Sequence, residues 1–150
     1  MSNPDDPRVP LNSVVFGYGP MLPLAVAGIA ARVLPAGWPE LATRLAVIWA
    51  ALILAFIAGV RRGFGFGDPR ASTAVEIATM MGYFVLAGLA LVVPAAWMAL
   101  LLLMVGFALV ALLDRRAAFA GNAPAHFARL RVPQMLFGIA GLALLWARLI

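Results

Sequence analysis

Residues 95–113 read AAWMALLLLMVGFALVALL, without one charged side chain. A run of this length and character suits the hydrocarbon core of a bilayer, which needs about 20 mostly apolar residues in a helix that satisfies its own backbone hydrogen bonds. Working outward, four further runs share the pattern, at 13–33, 41–60, 74–93 and 132–149. The expected architecture is an all-α integral membrane bundle of about five transmembrane helices. It fills 13–150 as a single transmembrane domain behind a short polar segment, 1–12.

The rest of the composition agrees. Of 150 residues, 65% are hydrophobic and 11% charged, against about a quarter charged in soluble domains. The net charge of +5 comes from arginines set between apolar runs, where anionic lipid headgroups meet them first, so nucleic acid is not an expected partner. With no cysteine, disulfides, thiolate metal sites and cysteine nucleophiles are excluded. Asp5, Asp6 and three prolines precede or flank Arg8, unlike the basic opening of a secretory signal, so the first apolar run is expected to remain in the mature protein.

The connections carry helix-breaking residues. Pro35, Gly37 and Pro39 follow the first run, Gly63, Gly65, Gly67 and Pro69 follow the second, and Pro94 marks a tight hairpin between the third and fourth. The longest connection, 114–131, contains Gly121, Asn122 and Pro124 and reads as a surface segment with a short interfacial helix. With five crossings, Arg8, Arg61, Arg62, Arg70, Arg115, Arg116, Arg129 and Arg131 share one side, whereas Arg32, Arg44 and Arg148 share the other. Because cytoplasmic loops are enriched in Arg and Lys, the amino terminus is expected in the cytoplasm and the carboxyl terminus outside. Trp38, Trp97 and Trp146 then fall at the outer interface, where indole rings concentrate.

Polar groups inside the spans are few. Glu76 begins the third run, where the helix dipole favours an acid and where Arg61, Arg62 or Arg70 is within reach as a partner. Thr73 and Glu76 also have the spacing of a capping box, with Ser72 beside them. Thr79 and Gln134 suit hydrogen bonds between helices. His126 stands alone beside Phe127 and Arg129, without the further ligands a metal requires, and Met80, Met81 and Met135 read as packing.

Two backbone features stand out. Gly59 and Gly63 form a small-xxx-small pair suited to close packing of the second helix, followed by the Phe- and Gly-rich exit 64–67. Pro20 and Pro23, after Gly17 and Gly19, break the first helix, which can expose backbone groups to a ligand or simply kink the helix. No acid, base and nucleophile converge, so no catalytic residue, cofactor site or metal site is expected. Arg61, Arg62, Glu76, Arg129 and Arg131 are the candidate contacts for a lipid or anion.

Residues 50–63, AALILAFIAGVRRG, resemble the second-helix signature of the DUF3429 family of small multi-pass membrane proteins. Residues 124–131, PAHFARLR, resemble that family's approach to its last helix, and Met21-Leu22-Pro23-Leu24 is similar to its first-helix proline element. The chain departs from the pattern at Ala58, Arg62, His126 and Pro133-Gln134. The resemblance implies a five-helix bundle in a bacterial inner membrane and implies no activity. Residues and resemblance together lead to a non-catalytic protein that assembles or stabilises a larger membrane complex. The alternative is a small transporter or lipid- or anion-binding protein that uses the kinked first helix and the cytoplasmic-side cluster of Arg61, Arg62 and Glu76. Membrane lipids, and other membrane proteins for the first of these, are the expected partners.

Overall fold

The computed structural model describes residues 11–63, 73–121, 123 and 126–150, with the side chain of Thr73 outside that set. The described residues form α1 (Leu11–Tyr18), a 3-10 turn (Gly19–Met21), α2 (Leu22–Val33), α3 (Trp38–Gly63), α4 (Thr73–Val92), α5 (Ala96–Phe119) and α6 (Phe127–Leu149). They give five helices long and apolar enough to cross a membrane, with α1, the turn and α2 making one span. At 1.5 Å per residue the 26 residues of α3 extend about 39 Å, enough to cross a hydrocarbon core of about 30 Å at a tilt.

Local chemistry sets the ends. Gly37, at φ +93°, leads into α3, and its N–H donates to Oε2 of Glu40 at 3.1 Å in the first helical turn. Arg61 and Arg62 close the same helix, so acid and base sit at the dipole ends that favour them. The α4–α5 hairpin turns over Val93, Pro94 and Ala95, as the proline implies.

In the first span, Pro20 and Pro23 lack the N–H groups that helical bonding uses, and the chain tightens into a 3-10 turn. Two carbonyls at the break find side-chain donors on other helices. Gln134 Nε2 donates to Gly17 O at 2.8 Å, and Trp49 Nε1 donates to Pro20 O at 2.7 Å. The kink is therefore clamped from α6 and α3 rather than left with open backbone.

α6 packs along α5 and α2, while α3 packs along α2, α4 and α5. Among the described glycines, a close approach of backbone to backbone joins α2 to α6. A Cβ on Gly28 would meet Gly141 O at 2.7 Å, and a Cβ on Gly141 would meet the Leu24 carbonyl carbon at 2.6 Å. Among the described residues the Gly59–Gly63 pair does not pack in this way, since none of them lies within 4 Å of a Cβ built at either position. Both glycines face outward, and tight packing of α3 comes instead from buried Ala46, Ala50 and Ala51.

The largest difference from the sequence reading lies at 114–131. α5 continues to Phe119 and α6 begins at Phe127, so no separate interfacial helix stands between them among the described residues. Asp114 and Arg131 are helical and buried, at 1% and 7% exposure, because each offsets the other's charge. Residues 1–10, 64–72, Asn122, Pro124 and Ala125 lie outside the described residues. With them lie Arg8, Arg70, the Phe-Gly exit and the Ser72–Thr73 cap.

Candidate functional site

The inward stripe of α5 runs Leu100, Leu103, Phe107 and Val110, all fully buried, and its next position is Asp114. On α6 the inward stripe runs back from Leu145 through Leu142, Gly138 and Met135–Gln134 to Arg131. Helical periodicity thus brings an acid and a base face to face at one end of the bundle. Arg131 Nε lies 3.3 Å from Asp114 Oδ2. Its direction does not make an aligned hydrogen bond, so the contact acts through charge.

Further groups complete a network. Tyr83, 1% exposed on α4, directs its hydroxyl at Asp114 Oδ1 and Leu109 O, each at 3.4 Å. Arg131 Nη1 donates to Gln134 Oε1 at 3.2 Å, and its guanidinium stacks 4.2 Å from the centre of the Phe127 ring. Through the Gln134 bond to Gly17 O, one polar chain links α4, α5, α6 and α1. The positive charge of Arg61 acts on Tyr83 and Asp114 from α3.

The five candidate contact residues separate. Arg61, Glu76 and Arg131 are buried, at 4%, 2% and 7% exposure, whereas Arg62 is half-buried and Arg129 exposed. For Glu76, one of the suggested partners, Arg70, lies outside the described residues. Among the described residues neither of its carboxylate oxygens has a hydrogen-bond partner, and the same holds for Arg61 Nε and Nη1. Thr79 departs from expectation, because its hydroxyl donates to Val75 O at 2.7 Å within its own helix. Gln134 does bond between helices, as expected. Asp114 and Tyr83 were missed by sequence reasoning, although the spacing 103, 107, 110, 114 along α5 is the signal that finds Asp114.

His126 pairs its Nε2 with Ser13 Oγ at 3.4 Å and meets the Phe127 ring edge-on at 5.0 Å. Burial first, then the charge of Arg131, holds its imidazole below the ordinary 6.5, which leaves it neutral at pH 7. Among the described residues, no three His, Asp or Glu side chains converge as a metal site.

Beside the network lies a cavity of about 470 Å³ between α1, α3 and α6. Met21, Ile53, Ile57 and Leu130 line its wall, Phe16 and Phe56 stand exposed at its rim, and Ser13, Arg131 and Gln134 supply its polar groups. Its size is that of a small-molecule site, and its outer side belongs to a surface of exposed apolar side chains suited to lipid.

A bundle of membrane-length helices with a clamped kink, a buried ionic network and an apolar groove defines a multi-pass helical membrane protein. A family model described as "Protein of unknown function (DUF3429)" matches residues 9–148, and the chain belongs to that family. No match was found among curated proteins or among solved structures.

Proposed function

We propose that this chain is a non-catalytic protein of a bacterial inner membrane that holds a membrane amphiphile in the groove between α1, α3 and α6. The observation that carries this reading is the cavity of about 470 Å³, with apolar walls and polar groups from Ser13, Arg131 and Gln134. The kink at Pro20 helps to form the groove rather than to gate it, since Gln134 and Trp49 bind the carbonyls at the break. The uneven distribution of arginines supports an amino terminus in the cytoplasm and a carboxyl terminus outside. The test is native mass spectrometry of protein released from membranes under gentle conditions. A defined amphiphile should stay bound and be depleted by Leu52→Phe at the groove wall, whereas protein carrying no lipid overturns the reading. A reporter fused after Ile150 that is active only outside the cytoplasm checks the orientation.

A second reading, assembly or stabilisation of a larger membrane complex, draws on α4. Its outer face carries Ala78 and Gly82, one turn apart, and among the described residues nothing lies within 4 Å of a Cβ at Gly82. Small residues in membrane helices concentrate at helix contacts, so this face suits a partner helix. Gly82→Leu should then abolish co-purification of a stoichiometric membrane partner while the protein stays folded. Unchanged co-purification, or the absence of any partner from the wild type, removes this reading.

A further inference from the structure

We infer, on the basis of the groove reading above, that the occupant is a lipid-soluble quinone, an uncharged amphiphile whose ring carbonyls accept hydrogen bonds. Charge complementarity is the first argument. Among the described residues, the buried arginines and carboxylates at this end of the bundle are Arg61, Arg131, Glu76 and Asp114, two of each sign. The one that lines the groove, Arg131, already faces Asp114 at 3.3 Å. An anionic headgroup seated on Arg131 would stand beside the Asp114 carboxylate in a medium of low dielectric, where like charges repel strongly.

The distribution of donors and acceptors narrows the class further. The carbonyl acceptors at the groove are engaged, Gly17 O by Gln134, Pro20 O by Trp49 and Gln134 Oε1 by Arg131, and the Ser13 hydroxyl is paired with His126 Nε2 at 3.4 Å. Donors remain, because a guanidinium carries five N–H groups and a carboxamide two. The contacts of Arg131 use Nε and Nη1, and Gln134 Nε2 makes one bond, to Gly17 O. A head that must donate, such as an alcohol, an amine or the hydroxyl of a diacylglycerol, meets carbonyls that already hold a donor and the paired Ser13 hydroxyl, whereas a carbonyl meets the more numerous N–H donors of Arg131 and Gln134. Phe16 and Trp49 line the same groove and offer aromatic surfaces to a flat ring. Leu52, Phe56, Ile57 and Val60 give a tail an apolar path along α3 to the lipid.

The experiment uses the full chain in nanodiscs of phosphatidylcholine, titrated with decyl-benzoquinone and followed by tryptophan fluorescence, since Trp49 lines the groove. Saturable quenching is expected, smaller in Trp49→Phe and shifted to about tenfold weaker binding in Ile53→Phe, which fills the cavity. Leu52→Phe, at a position 56% exposed, gives the same direction without a demand on the core. Oleate, phosphatidylglycerol and dioleoylglycerol should not displace the quinone. Displacement by any of these, or saturable quenching by brominated oleate with none by the quinone, overturns the quinone assignment and keeps the groove reading. Absence of saturable quenching by either probe overturns both.

Discussion

The Asp114 carboxylate lies 3.3 Å from Nε of Arg131, with both side chains almost wholly withdrawn from the surface. One residue comes from the inward stripe of α5 and the other from α6, so the pair fixes the register between two helices joined only by residues 120–126. Removing one partner leaves an uncompensated charge in a low-dielectric interior, which costs about 3–5 kcal/mol. Asp114→Asn and Arg131→Gln should each lower stability by that order, and the double variant by less than the sum. A double-mutant cycle from unfolding in mixed micelles reads the coupling, and simple additivity would show that the two charges do not interact.

Gln134 supplies the second half of this argument, because its amide also closes the break in the first span. Gln134→Leu leaves Gly17 O without its donor, and an unsatisfied buried carbonyl costs about 1–3 kcal/mol. Backbone amides of α1 should then exchange hydrogen faster than in the wild type, while those of α4 stay protected. Unchanged exchange in α1 would show that the clamp is dispensable.

Close packing of α2 on α6 predicts a sharp contrast among glycines. Gly141→Leu forces a side chain against the Leu24 carbonyl, an overpacking expected to cost at least about 1–3 kcal/mol. Gly59→Leu meets none of the described residues and should leave the melting temperature unchanged, apart from the gain in helix propensity. Equal effects at the two positions would contradict the packing described.

His126 provides a pH prediction. Its native pKa lies below the ordinary 6.5, so the unfolded chain binds the proton more readily. The stability this contributes is fully present above about pH 6.5 and is lost as pH falls through the native pKa. Thermal unfolding from pH 7.5 to 5 should show this loss in the wild type and a flatter profile in His126→Asn. As the chain has one histidine, its NMR titration gives the native value directly.

The number of membrane-length helices and the class of protein were legible in the sequence. Long charge-free runs between Pro- and Gly-rich connections leave a chain in lipid little choice but helix. Residues 95–113 alone impose that reading. Which polar residues matter was not legible, because an ionisable residue next to an apolar run looks the same whether it faces headgroups or a neighbouring helix. Asp114 and Arg131 read as loop residues, and only their meeting across α5 and α6 keeps both helices continuous past them. The roles of Gly59 and Gly28 were decided in the same way. Both are glycines in apolar helices, and what separates them is that one faces outward and the other meets a backbone carbonyl of α6. Periodicity along one helix determines which residues share a face. What that face meets depends on crossing geometry and on contacts between residues more than a hundred positions apart, such as Gly17 with Gln134. Such contacts exist only once the bundle has closed.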